Sequence, residues 1–124
     1  MRRFKLSDFF NDPSVNDKNC SVTLDAFLDA FYYCPSLFSF IPEPKWSSNL
    51  SKEKIALVVT VAHALCDNYG FFPPSWIMRK CYKLDEPYYL HRVGTRLHAY
   101  TTFNALEEGV IRNVFVTDTI LKRV

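Results

Sequence analysis

Glycine is nearly missing from this chain: three residues, at 70, 94 and 109, in 124. Neither a P-loop nor a GxGxxG turn can be assembled from them, so nucleotide binding by those routes is excluded. The four cysteines, Cys20, Cys34, Cys66 and Cys81, are spaced 14, 32 and 15 apart and contain no CxxC pair. That spacing matches no zinc ribbon, and a chain of this size can build a core without disulfides, so free thiols and no metal are expected. Cys66 falls in an apolar stretch and reads as a small buried side chain. No HExxH, no GxSxG and no Cys–His pair in a recognisable context occurs. The longest apolar run, residues 55–62, is too short to span a bilayer, and no apolar stretch follows the basic start at Arg2, Arg3 and Lys5. The sequence therefore reads as cytoplasmic, with no membrane partner.

What is abundant is aromatic. Eleven Phe, seven Tyr and two Trp make up 16% of the residues, within an ordinary 48% apolar and 23% charged composition. Disorder and charge-rich coiled coil are both excluded by these figures. Few glycines and seven prolines favour helices joined by stiff connections. The length suits one domain, 1–124.

Periodicity places the helices. Leu6, Phe9 and Phe10 form a short amphipathic turn that ends at Asn11-Asp12-Pro13. Leu24, Phe27, Leu28 and Phe31 recur on one helix face and predict a helix over about 23–33, capped by Ser21 or Thr23 and stopped by Pro35. The segment 36–41 fits either a helical turn or an extended strip. The strongest signal is a helix over about 51–69: Ser51 as its cap, Glu53 in the first turn, apolar residues nearly all round, and Gly70 after its end. Such a helix belongs at the centre of a core. Short helices are expected over 77–82, over 91–101, and from Thr102 or Asn104 onward with Phe103, Leu106 and Val110 inward. Asn113 to Val116 alternates like a strand, and Thr117 or Asp118 can cap a last turn. Together these predict an all-α, single-domain irregular helical bundle around the 51–69 helix.

The order of Gly70, Pro74 and Trp76, then Leu84-Asp85-Glu86-Pro87-Tyr88-Tyr89, then Arg112-Asn113-Val114-Phe115-Val116, resembles a set of small uncharacterised bacterial helical proteins. Their signature runs GxPxPxW, LDEPWY and RRNVFV. The resemblance spans roughly residues 55–121 and brings no activity with it. It implies a helical fold and, through the helix-turn-helix regulators and toxin–antitoxin-like modules such proteins accompany, a regulatory or neutralising role.

Charge is uneven along a chain whose net is only +2. Residues 76–100 carry Arg79, Lys80, Lys83, Arg92 and Arg96 against Asp85 and Glu86. Trp76, Tyr88 and Tyr89 fall among them, next to prolines and loops, where aromatics often anchor interfaces. Trp76, Tyr88, Tyr89, Arg92 and Arg96 are the candidate partner-binding residues, or else the aromatics close the core over its connectors. The leading expectation is a non-enzymatic protein-interaction or adaptor module, with a protein partner or a second copy of the chain. A bacterial regulatory or toxin–antitoxin-like pair is one form of it. Two alternatives remain. The basic 79–96 segment could contact nucleic acid, although its charge falls short of a dedicated binder. Asp85 and Glu86 with His91 and Arg92 could form a small acid–base site. His63 and Cys66, one turn apart, could share a metal ion only with further ligands; a core thiol beside a helix-face imidazole is the plainer account. No cofactor is expected.

Overall fold

A computed structural model describes residues 4–89 and 105–121. The chain is mainly helical. Helix α1 (Leu6–Phe10) is followed by a polar loop and by α2 (Cys20–Tyr33), a 3-10 turn at Leu37–Phe40, and the central helix α3 (Lys52–Asn68). Two further 3-10 turns (Ser75–Met78 and Lys80–Tyr82) lead to strand β1 (Tyr88–Tyr89). Helix α4 (Glu107–Val110), strand β2 (Val114–Phe115) and a closing 3-10 turn (Asp118–Leu121) complete the described part. Among these residues no helix is long and apolar enough to cross a membrane.

Helix α3 carries the fold. Ser51 caps it by accepting from the Lys54 amide at 3.3 Å. At the other end Gly70 adopts φ 70°, and two bonds close the helix: Gly70 N–H to the Asp67 carbonyl and Phe71 N–H to the Cys66 carbonyl. This is the Schellman arrangement that the position of Gly70 predicts. Every residue from Ala56 to Cys66 is buried, so all faces of α3 meet protein.

The expected stripe on α2 faces inward, with Leu24, Phe27, Leu28 and Phe31 all buried in the core cluster that residues of α3 also enter. The start of α2 lies earlier than Thr23. Side chains of Asp12, Asn16 and Asn19 satisfy backbone amides through the preceding loop, which lets the helix begin at Cys20. Phe27, Phe31 and Phe40 form a buried aromatic knot with ring centroids 5.3–6.1 Å apart. The aromatic richness of the sequence is thus spent largely on the core. Cys20 and Cys66 lie in that core as free thiols, and Cys34 and Cys81 are exposed free thiols. Burial pushes the Cys66 thiol up to about 12.

Purely helical content is corrected by a two-stranded parallel sheet in which Tyr88 pairs with Val114 and Tyr89 with Phe115. Two of the three motifs that bear the resemblance, 84–89 and 112–116, meet here. The Leu84 amide donates to the Arg112 carbonyl at 3.0 Å, the Tyr88 amide to the Asn113 carbonyl at 2.8 Å, and Asn113 Nδ2 to the Leu84 carbonyl at 2.7 Å. Asn113 holds φ 61°, a left-handed conformation that Asn tolerates better than most residues. The Tyr89 and Phe115 rings stack at 4.7 Å. This joint lies against α3: Val114 and Val116 cluster with Ala56, Leu57 and Leu84.

Helix α4 docks closely on α3 because Gly109 has no side chain. A Cβ there would collide with the Val114 carbonyl and lie 3.2 Å from Thr60 Cγ2. The helix is shorter than the sequence suggests, and Val110, expected inward, is exposed. The helix predicted over 91–101, its Gly94, and Phe103 lie outside the described residues.

Candidate functional site

The most unusual polar feature is Arg112, which is only 4% exposed. A guanidinium cannot shed its charge cheaply, so its donors must be occupied. Nη1 donates to the Glu108 carbonyl at 2.6 Å and contacts His63 Nδ1 at 3.0 Å. Nη2 donates to the Ile77 carbonyl at 2.7 Å and lies 3.9 Å from Met78 Sδ. Arg112 therefore ties α4 to α3 and to the 3-10 turn at Ser75–Met78.

The same geometry assigns the imidazole. Nδ1 faces a permanent donor and must accept, so the proton resides on Nε2, which lies 3.6 Å from Asp67 Oδ2. Burial and the Arg112 charge hold the His63 pKa below its ordinary value, against the pull of Asp67. Glu108 is shifted the other way: burial first, and then the Asp67 carboxylate, raise its pKa. Burial likewise lowers that of Arg112. These are the groups of a neutral imidazole wedged between a cation and a carboxylate.

Outward from this cluster lies a surface of mixed character. Met78 and Ile111 are each about half exposed, at 51% and 50%, and together with Arg79, Lys80, Lys83 and Arg112 they line a depression of about 110 Å³. Arg79 is engaged: its Nη1 donates to Glu43 Oε1 at 2.6 Å. Glu43 also accepts from the Tyr82 hydroxyl at 2.7 Å, and that hydroxyl accepts from Trp46 Nε1 at 3.0 Å. This chain of bonds fixes the Pro42-Glu43-Pro44 connector to the 3-10 turn at Lys80–Tyr82. Burial and Glu43 together raise the Tyr82 phenol pKa. Among the described residues Lys80 and Lys83 have no carboxylate within ion-pair distance.

The anchors expected from the sequence fare differently. Trp76 is 6% exposed and its Nε1 donates to the Phe40 carbonyl at 2.8 Å, so its ring closes the core, the second of the two readings its sequence setting allowed. Tyr88 and Tyr89 are half-buried in the strand joint, and the Tyr88 hydroxyl lies 3.2 Å from Lys54 Nζ. Arg92, Arg96 and His91 lie outside the described residues. Asp85 and Glu86 are exposed and line a depression of about 300 Å³ with Lys52, Glu53, Cys81, Lys83 and Leu84. His63 and Cys66 share α3, and the His63 ring nitrogens face Arg112 and Asp67.

A larger groove, about 560 Å³, opens at the far end of α2. Phe4, Tyr33 and Phe38 stand exposed in its walls, with Lys5 and Cys34 beside them. Sequence reasoning missed both this groove and the Arg112 cluster. A lone arginine between Val110, Ile111 and Val114 was the available signal for the cluster. A cation inside an apolar run is either a surface residue between buried ones or a buried hub.

Compared with family models, curated proteins and solved structures, the chain matches none.

Proposed function

We propose that this chain is a non-enzymatic protein-interaction module, a single-domain irregular helical bundle around α3 that works in the cytoplasm beside a protein partner. One observation carries the reading. The solvent face of residues 75–83 and of Ile111 combines half-exposed Met78 and Ile111 with Arg79, Lys80 and Lys83. Exposed apolar side chains rimmed by charge are the composition of a recognition surface. Met78, Arg79, Lys80 and Lys83 lie within the segment from 76 to 96 that the sequence singled out, and Ile111 lies outside it. The resemblance to small bacterial helical proteins makes a regulatory or toxin–antitoxin-like pair the natural setting.

The basic side chains favour a second reading, a regulator that contacts nucleic acid through the same segment. The two separate in one experiment. The chain is captured at native expression level from its source cell, at moderate salt, and co-purifying protein and nucleic acid are both quantified. A stoichiometric protein that rebinds the purified chain is the expected result. Nuclease-sensitive nucleic acid in its place supports the second reading, because phosphate contacts release counterions and weaken steeply with salt. A chain captured without either contradicts both.

A further inference from the structure

We infer that the Met78–Ile111 depression receives an acidic peptide segment of a partner protein, one apolar side chain of which seats between Met78 and Ile111. The inference rests on the interaction-module reading and names the chemistry of its partner.

Size comes first. About 110 Å³ is well below the roughly 300–1,000 Å³ of a small-molecule cleft. It suits a single side chain better than a metabolite. Its apolar walls, Met78 and Ile111, are each about half exposed, and a thioether adapts its shape to differing occupants.

Charge comes second. Four cations border or floor the depression: Arg79, Lys80, Lys83 and Arg112. Glu43 occupies Arg79, which holds that guanidinium in place. Arg112 is a fixed charge in the floor, locked by carbonyls and His63 and so unable to swing out to a ligand. Lys80 and Lys83 are exposed, and among the described residues neither ammonium has a carboxylate within reach. They are the groups left to meet a partner. Complementary charge steers encounter and fixes register, and the apolar seat supplies the slow off-rate.

The boundary is also defined. Lys83 borders the neighbouring depression, whose lining includes Glu53, Asp85 and Glu86. Those carboxylates repel an acidic chain and confine it to the Met78 side. A nucleic acid strand would meet the same cations, but it offers no aliphatic side chain for the apolar seat.

The test uses the full chain and three fluorescein-labelled eight-residue peptides: alternating glutamate and leucine, alternating glutamate and serine, and alternating lysine and leucine. A single-stranded oligonucleotide of equal charge is the fourth probe. The glutamate–leucine peptide is expected to bind best. Lys80→Glu with Lys83→Glu should weaken it about tenfold or more, since each surface charge contact accounts for up to about fivefold. Met78→Ser with Ile111→Ser should weaken it comparably. All four positions are exposed, and the melting temperature of each variant verifies its fold. Equal binding of the glutamate–serine peptide overturns the apolar seat. Tighter binding of the oligonucleotide overturns the peptide partner in favour of nucleic acid. Binding that neither variant alters overturns the location. A captured protein partner still held by the Lys80→Glu, Lys83→Glu variant would overturn this site and leave the interaction-module reading intact.

Discussion

Arg112→Met isolates what the buried guanidinium contributes. Methionine keeps an unbranched stem of similar reach and removes the charge and every donor. The Ile77 and Glu108 carbonyls, now 2.7 and 2.6 Å from guanidinium nitrogens, lose those partners. Hydrogen bonds from a charged donor contribute about 1.5–3 kcal/mol each. Relief from desolvating the cation offsets part of that, since replacing a buried charge by an apolar side chain recovers free energy. A net loss of about 3 kcal/mol is expected. That is a large share of the roughly 5–15 kcal/mol that holds a domain together. Urea unfolding measures it: the midpoint should fall with the slope unchanged. Heating should show a drop of about 12 °C, at about 4 °C per kcal/mol for a chain of this length. Arg112→Lys should fall between the two, because one ammonium cannot reach both carbonyls and the imidazole. A Met variant within about 0.5 kcal/mol of the parent chain would refute the hub, since that is the ordinary effect of a surface substitution.

Gly109→Ala should destabilise the chain by about 2 kcal/mol, because a Cβ there strikes the Val114 carbonyl and overpacking outweighs the better helix propensity of alanine; thermal unfolding reads it, and a rise in melting temperature would contradict the close approach of α4 to α3. His63 predicts a pH dependence. Its folded pKa lies below 6.5, so the unfolded chain binds the extra proton first, and this share of stability is present at neutral pH and declines as pH falls below that value. Glu108 acts oppositely: its raised folded pKa gives stability that is full below 4.5 and declines as pH rises through the folded value. His63→Gln should therefore flatten or invert the gain in stability between pH 5 and 7, measured by urea unfolding at each pH. An unchanged slope would contradict the neutral, wedged imidazole.

The central helix was legible because its signals agree: a Ser51 cap, Gly70 past the end and apolar residues on every face. The α2 stripe was legible for the same reason. The strand joint was only half visible. Val114 and Phe115 alternate with their neighbours, but their partner strand is set by contacts between residues more than twenty positions apart, which no local pattern records. Val110 misled because a four-residue helix is positioned by Gly109 against Thr60 and not by its own periodicity. Trp76 left two readings open because its neighbouring prolines resemble a loop at the surface; the turn they start folds the ring inward to the Phe40 carbonyl. Of the proposed binding face, the sequence indicated the charge at Arg79, Lys80 and Lys83. It did not indicate Ile111, which only the fold brings alongside Met78.

A peptide titration followed by amide chemical-shift mapping of the full chain locates the contact surface directly. The glutamate–leucine peptide should shift resonances of residues 78–83 and 111, and leave Phe4, Tyr33 and Phe38 at the far groove unmoved. Shifts confined to the far groove, or no saturable shift at all, would contradict the assignment of the Met78–Ile111 face as the surface through which this protein binds.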